Sequence, residues 1–266
     1  MTDRYAVIGN PVAHSKSPWI HAEFARQSRQ DLEYGRIEAP LDGFARTVDE
    51  FRAAGGRGAN VTLPFKDQAH LYCRKAVTER ARSAGVVNTL VFGNGEVSGD
   101  NTDGVGLLRD LTVNLGRKIA GARVLLLGAG GAAQGVLGPL LGAGPQRLVI
   151  ANRSAEKARL LAKRFGALGC GYDELGGAQF DLLINATSAG LAGQAPLFPP
   201  GAFGPGALGY DMVYGRDTPF LAMARDAGAE ACDGSGMLVE QAAESFLLWR
   251  GLRPDTAPVL AALRGR

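Results

Sequence analysis

Cysteine and histidine are both scarce in this chain of 266 residues, with three of each. Cys73, Cys170 and Cys232 are widely spaced and odd in number, so they make neither a disulfide framework nor a paired zinc ligand set. They fit a reducing compartment. His14, His21 and His70 show no H-E-x-x-H spacing, and no metal site is expected. A signal-peptide hydrophobic region is also missing, because Met1–Arg4 lead straight into the strand-like Tyr5–Gly9; a cytoplasmic location is expected. Excess charge of one sign is small, 29 Lys and Arg against 26 Asp and Glu, which does not make the whole protein a nucleic-acid binder and leaves room for a local basic site. No charge occurs from Val124 to Gln146, yet that run holds seven glycines and two prolines. It reads as a strand, a loop and a helix, not as a membrane span. No repeat or low-complexity segment stands out.

What the chain does have is apolar bulk and glycine. Hydrophobic residues make up 46% and charged residues 21%, enough to bury the core of one large domain or two small ones. The 38 glycines follow no collagen-like period, which suggests tight loops and backbone held close to a ligand. Along the first hundred residues, strands are expected at Tyr5–Gly9, Leu32–Ile37, Gly58–Thr62, Val86–Phe92 and Glu96–Gly99, with a hairpin turn at Asn94-Gly95. Helices are expected at Pro18–Ser28 with Ser17 as cap, around Phe44, Val48 and Phe51, and around Thr78–Ser83. A second βα rhythm starts at Arg123: strands Val124–Leu127, Leu148–Ala151, Leu182–Asn185 and Leu208–Asp211, with a charged helix at Ala155–Phe165. Such alternation implies a parallel, doubly wound sheet and an α/β fold. A helix from Met237 to Trp249 carries Leu238, Ala242, Ser245, Phe246 and Trp249 on one face and is expected to fold back against the first domain.

Gly128-Ala129-Gly130-Gly131-Ala132-Ala133 fits G-x-G-x-x-[G/A] between a strand and a helix, the setting of a dinucleotide loop. Gly128 permits the tight turn, Gly130 lets backbone approach a pyrophosphate, and Ala133 keeps helix close to sheet. The next strand ends in Asn152-Arg153-Ser154, with Lys157 one turn on. A carboxylate there would bind a ribose 2′-hydroxyl, whereas Arg153 can pair with a 2′-phosphate. This points to NADP in preference to NAD. Cations at a helix N-terminus oppose the dipole, which also argues for an anionic partner.

Clusters of small polar residues close four segments of the first half: Ser15-Lys16-Ser17-Pro18, Asn60-Val61-Thr62-Leu63-Pro64-Phe65-Lys66, Asn88-Thr89 and Asp100-Asn101-Thr102-Asp103-Gly104. Neutral donors and acceptors at strand ends suit a small polyhydroxylated ligand. Together with Gly-Ala-Gly-Gly and Gly236-Met237-Leu238-Val239-Glu240-Gln241, these motifs, in this order from Tyr5 to Trp249, resemble the shikimate dehydrogenase family.

The resemblance implies a substrate domain at 1–104 and 237–266, a Rossmann-like NADP domain at 105–236, and a cleft between them. It implies NADPH-dependent reduction of 3-dehydroshikimate to shikimate, by a monomer or homodimer with no nucleic-acid or membrane partner. Lys66 and Asp103 match the family's catalytic pair. Ser15 and Ser17 match the hydroxyls on the substrate carboxylate, with Tyr214 beside them, and Asn60, Thr62, Asn88 and Gln241 match groups around the ring hydroxyls. Gly128, Ala129, Gly130, Gly131, Ala132, Asn152, Arg153, Ser154, Lys157, Met212 and Gly234 match cofactor contacts. Glu79 aligns with a position sometimes counted there, although an acidic side chain has no attraction for this cofactor. Two departures stand out. Ala132-Ala133 replaces a serine found in many relatives, and Lys157 occupies a place often held by Arg. The alternatives are a quinate/shikimate or aminoshikimate dehydrogenase, and, in another class, an NADP-sensing regulator without turnover.

Overall fold

The computed structural model describes residues 2–93 and 95–265 and divides into two compact units, Met1–Gly106 with Leu238–Arg266, and Leu107–Met237. In the first unit the chain runs β1 (Asp3–Gly9), α1 (Ser17–Ser28), β2 (Leu32–Glu38), α2 (Phe44–Ala53), β3 (Gly56–Val61), α3 (Lys66–Tyr72), α4 (Glu79–Ala84), β4 (Thr89–Phe92) and β5 (Val97–Asp100). The sheet order is β2-β1-β3-β4-β5, with β1 parallel to β2 and β3, and the β3–β4 and β4–β5 pairs antiparallel. Side chains alternate across a strand. Ala6 and Ile8 of β1 therefore pack with Phe44, Val48, Phe51 and Phe65 on one face, while Tyr5 stacks on Trp249 at 4.6 Å on the other.

Helix α5 (Asp103–Arg109) leads into the second unit: β6 (Arg123–Leu127), α6 (Gly131–Gly142), β7 (Arg147–Ala151), α7 (Ala155–Phe165), β8 (Leu168–Cys170), β9 (Phe180–Asn185), β10 (Phe203–Asp211), α8 (Pro219–Asp226) and β11 (Glu230–Cys232). Every strand pair here is parallel, and the order is β11-β10-β9-β6-β7-β8. Strand order reverses between β6 and β9, which is the switch point where open α/β sheets bind ligands at their carboxyl ends. Val124, Leu126, Ile150 and Ile184 face α6 and α7; Leu125, Leu127, Val149 and Leu183 face Phe220 and Leu221 of α8. Burial on both faces explains why these strands read as unbroken apolar runs.

The chain then forms α9 (Ser235–Arg250) and α10 (Ala257–Arg264). Val239, Ala242, Ala243 and Phe246 of α9 pack against Ile20 and Phe24 of α1, so this helix does return to the first unit. Of its expected face, Leu238 and Trp249 are only half-buried. Ser17 is not the cap of α1: it opens the helix itself, Lys16 stands at the cap position, and no side-chain cap bond forms. Pro18 sits in the first turn, where its missing N–H costs nothing. For the expected turn at Asn94-Gly95, Asn94 lies outside the described residues, and Gly95 has φ +96°. The uncharged segment is β6, loop and α6, and among the described residues no helix is long and apolar enough to cross a membrane.

Candidate active site

The first unit gathers most of the expected substrate-side residues. Lys66 opens α3, immediately after the buried Phe65, and Asp103 opens α5. Lys66 Nζ donates to Asp103 Oδ2 at 2.5 Å, with the two side chains 13% and 8% exposed. The other Asp103 oxygen accepts from Asn88 Nδ2 at 2.8 Å. Asn88 also donates to Thr102 Oγ1 at 3.0 Å and accepts from the Thr102 N–H at 2.8 Å. The Asp103 N–H donates to Asn101 Oδ1 at 3.1 Å. Both carboxylate oxygens and the backbone of Asp103 are thereby fixed, and the Lys66 ammonium is held by this anchor. Charge-assisted bonds of this kind are shorter and stronger than neutral ones.

Asn60 lies in the same cluster, but its amide is occupied by protein. Nδ2 donates to Ser245 Oγ at 2.9 Å and Thr89 Oγ1 at 3.1 Å, and Oδ1 accepts from the Tyr34 hydroxyl at 2.7 Å. Thr62 is half-buried, and its hydroxyl has no protein partner among the described residues. Its methyl group fills the space where a Cβ on Gly9 would lie, 2.3 Å away, so only glycine fits at position 9. The Ser15 hydroxyl donates to Ser17 Oγ at 3.2 Å and accepts the Ser17 N–H at 3.3 Å, with both residues buried. Gln241 donates to the Leu238 carbonyl of its own helix at 2.7 Å. Gly106 lets α5 approach it, since a Cβ there would lie 2.7 Å from Gln241. Tyr214 belongs to the second unit, on the loop after β10, and is half-buried.

Several participants were not named as site residues from sequence. Tyr34, Thr89, Thr102 and Ser245 form the hydrogen-bonded floor, with Thr89 and Ser245 hydroxyls 2.9 Å apart. Arg80 clamps Asp100 with two bonds of 2.6 and 2.7 Å and reaches Glu244 at 3.0 Å, tying the Asp100–Asp103 turn to α9. Thr89 and Thr102 lie within the polar motifs named above, and Ser245 stands one helical turn beyond Gln241, which is the signal that could have found it. Glu79 opens α4 in the first unit, 82% exposed, with its carboxylate paired to Arg82 at 3.1 Å.

In the second unit Gly128 has φ +109°, and a Cβ there would come within 3.2 Å of Ala186 and Thr187 at the end of β9. The backbone conformation strains any side chain here, and the tight contacts add to the strain. Gly130 faces open space, with nothing within 4 Å of its Cβ position. It stands at the N-cap of the twelve-residue α6, which no side chain caps; Gly131 and Ala132 form the first turn, and Ala133 is fully buried against the sheet. Free N–H groups at a helix start favour a phosphate. Ser154 caps α7 by accepting the Lys157 N–H at 3.4 Å, and Asn152 Nδ2 donates to the Ser154 carbonyl at 3.1 Å. Arg153 and Lys157 are exposed and have no ion-pair partner among the described residues. Met212 and Gly234 touch: a Cβ on Gly234 would lie 2.5 Å from the Met212 carbonyl oxygen. Loops, uncapped helix start and unpaired cations fit a dinucleotide carrying an extra phosphate.

Family models describing a shikimate dehydrogenase substrate binding domain, a shikimate/quinate 5-dehydrogenase and a shikimate 5′-dehydrogenase C-terminal domain match residues 7–90, 110–192 and 234–264. The shikimate dehydrogenase (NADP(+)) of Nitrosospira multiformis is 59% identical over 99% of this chain and 98% of its own length. The crystal structure of an Ael1 enzyme from Pseudomonas putida superposes with a TM-score of 0.93 at 49% identity, covering 98% of each chain. Shikimate 5-dehydrogenase from Thermus thermophilus, solved in complex with NADP(H) and shikimate, gives a TM-score of 0.90 at 34% identity over 99% of each chain.

Proposed function

The chain belongs to the shikimate dehydrogenase family, and from that premise we propose that it catalyses the reversible, NADP-linked reduction of 3-dehydroshikimate to shikimate in aromatic amino-acid biosynthesis. The observation that carries the proposal is the shielded 2.5 Å contact between Lys66 Nζ and Asp103 Oδ2. Residues 1–104 and 237–266 bind the substrate, and residues 105–236 hold the cofactor. The widely spaced thiols agree with a cytoplasmic enzyme.

Reducing a ketone takes a hydride at carbon and a proton at oxygen. Gly128–Ala132, Asn152, Arg153, Ser154, Lys157, Met212 and Gly234 hold NADP, which supplies the hydride when bound. Lys66 carries the proton half of the reaction. Its ammonium donates a hydrogen bond to the ketone oxygen, polarises the carbonyl, and protonates the oxygen as negative charge develops there. Asp103 orients the ammonium through one carboxylate oxygen and is itself oriented by Asn88 through the other. In the oxidative direction the neutral amine takes the proton back from the hydroxyl. Ser15 and Ser17 hold the substrate carboxylate with Tyr214 beside them, and Asn60, Thr62, Asn88 and Gln241 are set around the ring hydroxyls. Asn60 and Asn88 are each held in place there by neighbouring side chains.

The test is Lys66→Ala, assayed by cofactor absorbance with shikimate and NADP. A positioned general acid contributes about 10²–10⁴-fold, so kcat is expected to fall by that factor while NADP affinity stays. An unchanged rate removes Lys66 from the chemistry. Parallel assays with quinate and NAD separate the neighbouring specificities, and faster turnover of quinate with NAD would overturn the substrate assignment. Tight NADP binding by the parent protein with no turnover of shikimate would overturn the enzymatic one.

A further inference from the structure

Arg36 follows Tyr34 by two residues on β2, so both side chains leave the strand on the same face. Tyr34 identifies that face, since its hydroxyl donates to Asn60 Oδ1 within the polar cluster. Arg36 Nε and Nη2 both donate to the carbonyl oxygen of Ser15, at 3.1 and 2.6 Å. A guanidinium fork is shaped for a carboxylate, yet this one grips a single peptide oxygen and has no carboxylate partner among the described residues. The Ser15 N–H is held as well, donating to the Val12 carbonyl at 3.1 Å. Ser15 is therefore pinned from both sides, and its hydroxyl is aimed at the Ser17 hydroxyl and N–H where α1 begins.

Lys66 and Asp103 oppose each other at 2.5 Å, Ser15, Ser17, Tyr34 and Asn60 are neutral, and Lys16, between the two serines, is exposed to solvent. Arg36 leaves the Ser15–Ser17 end with a positive charge that no carboxylate among the described residues pairs with. The start of α1, where Lys16 at the cap position makes no side-chain cap bond and Ser15 Oγ takes the Ser17 N–H, adds the positive end of a helix dipole in the same place.

We propose that Arg36 is a positioning residue for the carboxylate end of the pocket, locking the Ser15 peptide so that the Ser15 and Ser17 hydroxyls converge on one anion. Arg36 is exposed to solvent, which screens its charge, so it acts through the Ser15 peptide and not by touching the reacting atoms. The inference rests on the reading of Ser15 and Ser17 as carboxylate ligands. It gives this enzyme a means of holding the two hydroxyls in the geometry that prefers an acid to its uncharged ester.

Arg36→Ala and Arg36→Lys are assayed with NADP on shikimate and on shikimate methyl ester, which keeps the oxidised hydroxyl and loses the charge. Losing a charge-assisted bond of this kind corresponds to about a tenfold to hundredfold change in binding. Arg36→Ala is expected to raise KM for shikimate by that factor, with kcat and the KM for NADP near the parent values and the ester little affected. Arg36→Lys, which keeps the charge without the fork, is expected to fall between the two. The same KM rise on acid and ester would show a general disturbance and overturn the proposal, as would a fall in kcat at constant KM. Should Arg36→Ala not fold, Arg36→Lys decides the matter by whether its KM rise is confined to the acid. A parent enzyme active on shikimate with variants indistinguishable from it defeats the role of Arg36 alone. A parent without that activity defeats the functional reading and this proposal with it.

Discussion

His21 is fully buried, its ring 4.2 Å from Tyr34 and 6° from coplanar with it. Neither ring nitrogen makes a good hydrogen bond. Burial dominates, with Asn60 opposing it weakly, and the imidazole pKa is pushed down to about 3. An unfolded histidine titrates near its ordinary value of about 6.5. Above that pH neither state binds the proton and the contribution to stability is complete. As pH falls below it, the unfolded chain takes up a proton that the folded protein refuses, and stability is lost down to the folded pKa. The slope is about 1.4 kcal/mol per pH unit. His21→Phe is expected to flatten that part of the pH dependence, read from urea unfolding of parent and variant between pH 7 and pH 5; parallel curves would refute it. The sequence left His21 without an environment, because the rings around it come from Phe24, Tyr34, Phe246 and Trp249. The same limit applied to Asn60, whose polar character on a buried strand was legible while its partner Ser245, 185 positions away, was not. Lys66 and Asp103 could be paired only through family resemblance, since nothing local joins residues 37 apart.

Element boundaries were legible where capping chemistry marks them. Helix α7 runs Ala155–Phe165 as expected because Ser154 accepts the Lys157 N–H at one end and Gly166 adopts φ +68° at the other. Helix α3 went unread: it has seven residues, buries Ala69, and is too short to display a 3.6-residue period. Strands β8 and β11 have three residues each and are held by a longer parallel neighbour, so their own sequences carry little signal. The β6–loop–α6–β7 unit, in contrast, announces its ligand as well as its shape, and it supports a prediction at this scale. Arg153 stands just before the Ser154 cap, exposed and unpaired among the described residues. If it grips the 2′-phosphate through a charge-assisted pair, Arg153→Ala removes about 1.5–3 kcal/mol, roughly tenfold to hundredfold in NADP affinity. NAD, lacking that phosphate, should bind the variant and the parent alike. Measured dissociation constants for both cofactors check this, and equal losses for NADP and NAD would deny Arg153 that role.

Two sheets with different logic make up the molecule. The parallel order of the second unit follows from strands buried on both faces, and its alternation was visible in sequence. In the first unit β4 and β5 turn antiparallel after two short helices, and the order β2-β1-β3-β4-β5 depends on long-range pairing that no periodicity reveals. Each unit has its own apolar clusters, with the dinucleotide loop in one and the Lys66–Asp103 pair in the other. Ligand binding stabilises the native state that binds it by about 2.7 kcal/mol at a hundred times its Kd, and amides exchanging through opening of that unit should slow by about a hundredfold. NADP alone is therefore expected to protect the strands β6, β7 and β9 and the amides of Gly128–Ala133, while leaving exchange in β1, β3 and Ser15–Ser17 nearly unchanged. Shikimate alone is expected to give the reverse pattern. Hydrogen exchange resolved by peptide, with each ligand separately, makes the comparison. Protection by NADP spread evenly over both sheets would mean that the two cores open as one, and the assignment of each ligand to its own unit would lose this support.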